Sequence, residues 1–379
     1  MKLLITGICG FVGCRLARNL SRDFEVVGVD NFCRAGSELN RRVLSDLGIR
    51  VRHADLRLAS DLESLPQTDW VIEAAANPSV LAGVDGRTSS RQLTEQNLLT
   101  TLNTLEFCKK HGAGFIMLST SRVYGIRPLS SISVKAQGSR FVVQTGDMPA
   151  GIGSQGIRED FSTSSPISLY GATKLASETM SLEYGDAFGF PVRINRCGVM
   201  AGAGQFGRAD QGIFSFWIHS FREQKPLKYI GFGGKGYQVR DCLHPEDLAE
   251  LIRKQMVTAG DLPSKSVGQQ PATDNRQPIP PAAQRPTPNA QRIFNVSGGL
   301  QNSMSLAELS QWCGQRYCAV PISSDPTQRP FDLPWVVLDS SRVRDQFDWV
   351  PQWGMDRILE EIATFAESHS DWLELTAGS

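Results

Sequence analysis

The sequence lacks an excess of either charge and lacks any apolar run long enough to cross a membrane. Its 379 residues include 39 lysines and arginines and 39 aspartates and glutamates, so the net charge is zero. Proteins that bind nucleic acid or an anionic membrane surface use a basic excess, and we expect neither partner here. A membrane-spanning helix needs about 20 consecutive apolar residues, and the chain contains no such run.

Metal-binding and secretion patterns are also missing. The eight cysteines include no Cys-x-x-Cys pair, and no histidine cluster accompanies Cys313 and Cys318. We therefore predict no metal site and interpret the cysteines as thiols of a reducing cytoplasm. Arg15 and Arg18 interrupt the first helical stretch, and no small-residue cleavage site follows it. These features argue against a signal peptide and favour a cytoplasmic protein.

A glycine-rich turn follows the first apolar run. Gly7, Gly10 and Gly13 lie between a strand pattern and a helix pattern. Such glycines let the backbone approach a pyrophosphate, which then lies at the positive end of the helix. Asp30 ends the next apolar run, where a carboxylate can hydrogen-bond the adenosine ribose. The pattern predicts NAD. Arg34 could pair with the 2′-phosphate of NADP, but Asp30 would repel that phosphate.

Short β-branched runs alternate with helical patterns through the first half of the chain. The strands that we predict are residues 2–6, 25–30, 50–54, 70–74, 115–119, 192–196 and 293–296, and the clearest helices are 10–20, 93–111 and 169–188. Alternation of this kind is typical of an α/β fold with a Rossmann-like, doubly wound parallel sheet. After residue 196 the alternation becomes irregular, which predicts a smaller C-terminal substrate-binding lobe.

The domain boundaries follow from this change of pattern. We predict an NAD-binding domain over 1–190, to which the segments at about 236–256 and 292–297 return. The substrate-binding lobe is then built from 191–235 and 298–379. Residues 257–291 are rich in proline and polar residues, which predicts an exposed insert. A second polar insert, 128–156, is expected as a flap near the active site.

Tyr170 and Lys174 form the second informative motif, Tyr-x-x-x-Lys. Residues four apart share one face of a helix. A nearby ammonium and a positive nicotinamide ring favour the phenolate and lower the pKa of a tyrosine. Tyr170 could then take a proton from a sugar hydroxyl while a hydride leaves the same carbon. Lys174 would also hold the nicotinamide ribose.

With these motifs the chain resembles the extended short-chain dehydrogenase/reductase family, in particular its NAD-dependent nucleotide-sugar epimerases. The resemblance implies that Thr120, which precedes Val123-Tyr124-Gly125, binds the reacting sugar oxygen and passes its proton towards Tyr170. Glu73 stands where the family usually has a histidine. The catalytic residues implied are Thr120, Tyr170 and Lys174. The residues assigned to the cofactor are Gly7, Gly10, Phe11, Val12, Gly13, Asp30, Asn31, Arg34, Asp55, Leu56, Ala74, Ala75, Asn97, Tyr170 and Lys174.

The residues before Val123 also separate reaction types. The 4,6-dehydratases of the family carry Thr-Asp-Glu at this place, because elimination of water needs an added acid and base. This chain has Thr120-Ser121-Arg122, and neither carboxylate is present. The motif therefore favours epimerisation over dehydration.

Longer stretches resemble the CDP-tyvelose (CDP-paratose) 2-epimerases. They are residues 30–40, 205–212 and 234–244. The resemblance implies that Arg240 and Arg329 grip the substrate pyrophosphate, a task that suits a bidentate guanidinium. The substrate-binding residues implied are Thr120, Gln205, Gln211, Arg240 and Arg329. Cys197 and Gly204 replace a histidine and an arginine of the 2-epimerases, which leaves the sugar and the nucleotide open.

Other functions remain open from the sequence. A UDP-sugar 4-epimerase or an NAD(P)-dependent sugar reductase would have the same fold. A non-catalytic NAD-binding protein is a third alternative, although such members usually lose the tyrosine or the lysine. The resemblance also implies a homodimer that associates through the helices predicted at 93–111 and 169–188.

Overall fold

The computed structural model describes residues 1–144, 146, 148–208, 211–258 and 291–377. The strands are β1 (Lys2–Thr6), β2 (Glu25–Asp30), β3 (Arg50–His53), β4 (Trp70–Glu73), β5 (Gly114–Thr120), β6 (Val134–Gln137), β7 (Arg140–Val143), β8 (Ile152–Gly153), β9 (Gly156–Ile157), β10 (Val192–Cys197), β11 (Val199–Met200), β12 (Leu227–Ile230), β13 (Val239–Leu243), β14 (Ile293–Val296), β15 (Ser303–Ser305), β16 (Ile322–Asp325) and β17 (Trp335–Val336). The helices are α1 (Phe11–Leu20), α2 (Ser37–Asp46), α3 (Ala59–Glu63), α4 (Ser90–Thr94), α5 (Thr100–His111), α6 (Ile126–Ser130), α7 (Ser168–Phe188), α8 (Ile213–Arg222), α9 (Pro245–Val257), α10 (Leu306–Arg316), α11 (Ser341–Phe347), α12 (Met355–Ser368) and α13 (Trp372–Ala377).

Seven of the strands form one parallel sheet in the order β14-β10-β5-β4-β1-β2-β3. The Rossmann-like fold is confirmed, and the seven predicted strands occur with ends within one residue of the predicted ones. The predicted helix at 93–111 is interrupted, because a π-helical turn, Glu95–Leu99, joins α4 to α5. On one side of β1 the strand order continues to β2 and β3, and on the other side it continues to β4, β5, β10 and β14. Ligands of such sheets bind at the carboxyl ends of the strands beside this reversal.

Alternation of side chains along each strand fills two apolar layers, one on each face of the sheet. Leu3 and Ile5 point to the layer that includes α1, α9 and α11, whereas Leu4 points to the layer that includes α5 and α7. All three side chains are fully buried. The period of two explains why this run forms a strand that is covered on both faces.

The irregular half of the chain builds a smaller lobe around α8, α10 and α12. Its apolar cluster includes Phe214, Trp217, Leu309 and Ile358. Within the segment predicted to return to the first domain, β13 pairs with β11, β15 and β17 in a separate sheet. Helix α9 instead packs on the large sheet with α1. The exact division into domains stays a prediction.

The two predicted inserts have different outcomes. Residues 259–290 of the proline-rich insert lie outside the described residues. The other insert forms the hairpin β6–β7, whose Phe141 N–H donates to the Tyr237 carbonyl (2.9 Å) and whose Arg140 donates to Ser303 (2.6 Å). No described residue of 128–156 lines the large cavity described below. The expectation of a flap stays a prediction, and in this structure Phe141 packs against the lobe.

Within the described ranges, no helix is long and apolar enough to cross a membrane. The same residues contain no group of three or more histidine, cysteine or acidic side chains suited to a metal ion.

Candidate active site

A backbone cradle forms between β1 and α1. Gly7 has a φ of +61°, and a Cβ atom added there would lie 2.7 Å from the Ala75 Cα. A Cβ atom at Gly13 would lie 2.2 Å from the Gly7 carbonyl oxygen. Only glycine fits these two positions, and the free N–H groups of α1 face the space above them. The cradle therefore fits the pyrophosphate of a dinucleotide.

Asp30 is held at the end of β2 by backbone donors. Its two carboxylate oxygens accept from the N–H groups of Cys9 (2.9 Å) and Phe32 (2.8 Å). Burial raises the pKa of Asp30, while these N–H groups oppose the rise. The carboxylate keeps acceptor capacity for ribose hydroxyls, as the sequence predicts.

Asp55 and Leu56 follow β3 and lie farther along the same edge. Asp55 accepts hydrogen bonds from Arg57, with the shortest distance 2.6 Å, and this contact holds the pKa of Asp55 below its ordinary value. Leu56 is buried. An apolar side chain beside a positioned acid can flank an adenine.

The carboxyl edge of the sheet and the smaller lobe enclose a cavity of about 1040 Å³. It is lined by most of the residues that we predicted: Gly7, Gly10, Phe11, Val12, Gly13, Asp30, Asn31, Arg34, Asp55, Leu56, Ala74, Ala75, Thr120, Tyr170, Gln205, Gln211, Arg240 and Arg329. The cavity thus brings together the cofactor residues and the substrate residues. Asn97 and Lys174 are the two predicted residues that do not line it.

Asn97 acts one layer behind the cavity. Its Oδ1 accepts from the Asn77 N–H (2.8 Å), and its Nδ2 donates to the Asn77 carbonyl and to Thr173. The side chain is almost fully buried. Asn97 therefore ties the loop after β4 to α7 and supports the cavity wall from behind.

Tyr170 lies on the first turn of α7 and faces Thr120 at the end of β5. Burial raises the pKa of Tyr170 to about 12, while a hydrogen bond from Thr120 and the charge of Arg122 oppose the rise. Arg122 is a charged neighbour that the sequence did not suggest for this role. In the sequence Arg122 stands where the dehydratases have glutamate. That difference is the signal that could have pointed to Arg122.

Lys174 has a different charged neighbour from the one expected. Its Nζ lies 3.8 Å from Oε2 of Glu73, and both side chains are almost fully buried. In this structure the charge that lowers the pKa of Tyr170 belongs to Arg122. The lowering of the pKa of Tyr170 by Lys174 stays a prediction.

Arg240 and Arg122 both line the cavity, as does Asp332. Arg240 donates to Oδ1 of Asp332 (3.0 Å) and to the Val239 carbonyl (2.8 Å). Arg122 donates to the Phe331 carbonyl (3.1 Å). Burial and the nearby charge of Arg240 together lower the pKa of Arg122 to about 10. Asp332 was missed, although it follows Arg329 in the stretch that carried the prediction.

Three glutamines present amides to the cavity. Gln205 donates to the Met200 carbonyl (2.6 Å), and Gln238 donates to the Ile230 carbonyl (2.7 Å). These contacts leave each Oε1 buried without a hydrogen-bond partner among the described residues. Gln211 accepts from Arg34 (2.7 Å), which joins two walls of the cavity. Gln238 was missed, although it stands two residues before Arg240.

Of the two departures from the 2-epimerase pattern, only Cys197 lines the cavity. Burial raises the pKa of its thiol to about 12, so the side chain is neutral. Gly204 lies outside the cavity wall in a left-handed conformation, with φ of +79°.

Comparison with known proteins identifies the family. The sequence model described as "NAD dependent epimerase/dehydratase family" matches residues 3–264. The chain belongs to this family. The CDP-paratose 2-epimerase of Salmonella typhi is 28% identical over 93% of this chain and 95% of its own length. The UDP-glucuronate 4-epimerase of Thermodesulfobacterium geofontis is also 28% identical, over 65% of this chain and 68% of its own length.

Solved structures of the family share the fold. The UDP-glucuronic acid 4-epimerase of Bacillus cereus, in complex with UDP-glucuronic acid and NAD, has a TM-score of 0.73 and 22% identity and covers 97% of this chain and 99% of its own. The dTDP-glucose 4,6-dehydratase of Bacillus anthracis, in complex with NAD, has a TM-score of 0.65. The predicted family, an NAD-dependent enzyme of the epimerase type and NAD as cofactor are confirmed. The roles of the individual residues stay predictions.

Proposed function

We propose that this chain is a nucleotide-sugar epimerase that inverts C2 of a CDP-sugar. The observation that carries the proposal is the cavity shared by the glycine cradle, the Thr120–Tyr170 pair and Arg240. A dinucleotide on the cradle would place its reactive ring beside Tyr170, and a diphosphate on the arginines would bring the sugar to the same point. This cavity brings together the cradle, the Thr120–Tyr170 pair and Arg240, and that arrangement supports the proposal.

Tyr170 is the acid and base of the proposed reaction. The Thr120 hydroxyl hydrogen-bonds the reacting sugar oxygen and passes its proton towards Tyr170. Tyr170, as a phenolate, accepts that proton. NAD, when bound, would supply a hydride acceptor at the carbon of that hydroxyl and a hydride donor to the other face of the sugar. Tyr170 then gives the proton back. The reaction has no net redox change, so the cofactor stays with the chain between turnovers.

The phenolate needs positive charge, because burial raises the pKa of Tyr170 to about 12 even though the hydrogen bond from Thr120 and the charge of Arg122 oppose the rise. Arg122 already supplies part of this charge. Lys174, one helical turn from Tyr170, and the positive nicotinamide ring supply the rest when the cofactor is present.

The substrate diphosphate is expected between Arg240 and Arg329. Arg240 is paired with Asp332 in this structure, and its planar guanidinium has donors for a diphosphate as well. Epimerisation is favoured over dehydration because Ser121 and Arg122 replace the acid and base that elimination requires.

Coverage favours a CDP-sugar over a UDP-sugar. The CDP-paratose 2-epimerase matches nearly the whole chain, including the substrate lobe, whereas the UDP-glucuronate 4-epimerase matches two thirds at the same identity. A UDP-sugar 4-epimerase is the second candidate, because the B. cereus 4-epimerase superposes over almost the full chain.

Mass spectrometry tests this function. The purified protein is denatured and its released small molecules are identified, and the native protein is then incubated with CDP-, UDP-, GDP- and dTDP-sugars. Released NAD and conversion of a CDP-sugar to an isomer of equal mass support the proposal. Conversion of a UDP-sugar alone selects the second candidate. Absence of a bound dinucleotide, or turnover only with added NADPH, contradicts both.

We further propose a cytoplasmic homodimer that associates through α5 and α7. Leu169 and Phe188 of α7 are 41% and 47% exposed, which leaves apolar surface for a second copy. Sedimentation equilibrium tests the dimer, and a monomer at micromolar concentration would contradict it.

A further inference from the structure

Glu73 is a buried carboxylate that the proposed reaction does not use. It ends β4, where the chain pairs with Thr6 of β1 and Met117 of β5. Only 1% of its surface is exposed, and it lies directly before the Ala74–Ala75 wall of the cavity. The side chain therefore lies just behind the space expected to hold the cofactor.

Lys174 is the charged group that faces Glu73. The Nζ–Oε2 distance is 3.8 Å, beyond a strong hydrogen bond but within an ion pair. Both oxygens of Glu73 lack a hydrogen-bond partner among the described residues. The Thr101 hydroxyl is near, but it donates its proton to the Asn97 carbonyl (2.9 Å).

This arrangement is a poor way to stabilise the fold. A buried ion pair offsets its desolvation only when further hydrogen bonds satisfy the charged groups, and Glu73 has none. The buried pair of Glu178 and Arg196, by contrast, has contacts of 2.7 and 3.0 Å and a further donor, Ser119. The position of Glu73 next to Lys174 therefore calls for an electrostatic explanation rather than a structural one.

We propose that Glu73 is a positioning residue that limits how much positive charge Lys174 delivers to Tyr170 and to the nicotinamide side of the cavity. This inference rests on the proposed function, because it requires NAD beside Tyr170. A carboxylate 3.8 Å from an ammonium cancels much of its field at longer distance. Bound NAD then stays in its positively charged, oxidised form, in which each turnover begins.

Glu73 and Tyr170 are faced by groups from several helices and strands. Glu73 faces Lys174 from α7 and Thr101 and Cys108 from α5. Its neighbours on β1 and β5, Thr6 and Met117, carry no charge. Tyr170 faces Thr120 from β5, Arg122 from the turn after it and Cys197 from β10. Of these groups, the Cys108 thiol is one whose pKa the Glu73 charge also raises.

The test compares Glu73→Gln and Glu73→Asp with the wild-type chain, each loaded with NAD. Sodium cyanoborohydride reduces the bound NAD, and the absorbance of the reduced nicotinamide gives the rate without any sugar. We expect the NAD bound to Glu73→Gln to be reduced about tenfold faster, because the uncompensated Lys174 ammonium favours loss of the positive charge of the nicotinamide ring; tenfold in rate corresponds to about 1.4 kcal/mol. Glu73→Asp keeps the charge and stays within about twofold of the wild type.

Titration of Tyr170 gives a second readout. The ultraviolet absorbance of the phenolate is followed against pH, with Tyr170→Phe as the background. In Glu73→Gln the transition should shift to lower pH by about one unit. Unchanged reduction and titration in a variant that holds NAD overturn the inference. Equal changes in Gln and Asp variants overturn it too, since they would report packing rather than charge.

A wild-type experiment decides the matter if Glu73→Gln does not hold NAD. Burial raises the pKa of Glu73 above its ordinary value, so lowering the pH protonates the carboxylate and removes its charge. The rate of reduction relative to free NAD should therefore fall as the pH is raised. A flat profile overturns the inference. A wild-type chain that binds no NAD contradicts the proposed function instead, so the two failures are distinct.

Discussion

Arg196 and Glu178 form a buried ion pair directly beneath the candidate active site. The distance from Nη2 to Oε2 is 2.7 Å, and the two side chains are 5% and 2% exposed. The Ser119 hydroxyl also donates to Glu178 (2.5 Å). Because Ser119 precedes Thr120 in β5 and Glu178 belongs to the helix of Tyr170, these contacts fix the distance between the two proposed catalytic residues.

Glu178→Gln is expected to destabilise the chain strongly. The substitution leaves the Arg196 guanidinium buried without its counter-charge, which costs about 3–5 kcal/mol. Urea unfolding followed by circular dichroism measures the loss. Arg91→Ala is the control, because Arg91 pairs with Glu95 on the surface with 87% of its side chain exposed, and we expect no measurable change. Similar losses in both variants would show that burial of the pair is unimportant.

Tyr170→Phe should remove most of the activity and leave the cofactor bound. Loss of the acid and base group lowers kcat by about 10²- to 10⁴-fold. The assay is conversion of the sugar nucleotide identified by mass spectrometry. Tyr184→Phe provides a matched control on the same helix, since its hydroxyl contacts Glu106 at the surface (2.7 Å). Near-normal turnover of Tyr170→Phe would refute the assignment.

Gly13→Ala should weaken NAD binding by about 5- to 150-fold. Its Cβ would lie 2.2 Å from the Gly7 carbonyl oxygen, so the cradle must shift, at a cost of about 1–3 kcal/mol. The NAD released on denaturation is measured per mole of protein. Gly314→Ala is the control, because nothing lies within 4 Å of the added atom and alanine suits the interior of α10. Full NAD content in Gly13→Ala would contradict the proposed cofactor position.

Arg240→Lys is expected to raise KM while kcat changes little. The lysine keeps the charge but loses the bidentate geometry, which is worth about 1.5–3 kcal/mol to a charged ligand and raises KM by about 10- to 100-fold. Initial rates over a range of substrate concentrations separate the two constants. Arg344→Lys, at an exposed position of α11, should match the wild type. An unchanged KM in Arg240→Lys would place the diphosphate elsewhere.

Glu361 should make stability depend on acidic pH. Burial alone would raise its pKa, but hydrogen bonds from His244 and the Ala203 N–H and the charge of Arg15 lower it from 4.5 to about 2. Because the folded pKa is depressed, its stabilisation is full above pH 4.5 and is lost as pH falls towards 2. Melting temperatures of wild type and Glu361→Gln measured across this range should converge at the acidic end. Parallel curves would rule the contribution out.

The sheet and the glycine cradle could be predicted because local patterns encode them. The run from Leu3 to Ile5 alternates between two apolar layers, and Gly7 and Gly13 stand where only glycine fits. Tyr170 and Lys174 were predicted on a local pattern too, since a helix brings residues four apart to one face, and their roles stay predictions.

Contacts between distant segments could not be predicted in this way. Glu73 was noticed as a departure from the family, but only the packing of β4 against α7 brings it to Lys174. Arg122 and Phe331 are 209 residues apart, and no local pattern relates them. The polar composition of residues 128–156 predicts an insert but not its place, which in this structure depends on two aromatic contacts of Phe141, to Phe232 and Tyr237.

The contact of Arg15 with Glu361 has a consequence for the order of folding. Arg15 belongs to α1, the helix of the glycine cradle, and the two residues are 346 positions apart in sequence. The entropic cost of closing a loop grows with its length, although slowly, and contacts of high sequence separation form late. During synthesis, the side of α1 that carries Arg15 therefore lacks its contact with α12 until that helix has left the ribosome. A nascent chain should acquire its full resistance to protease only after that helix has emerged.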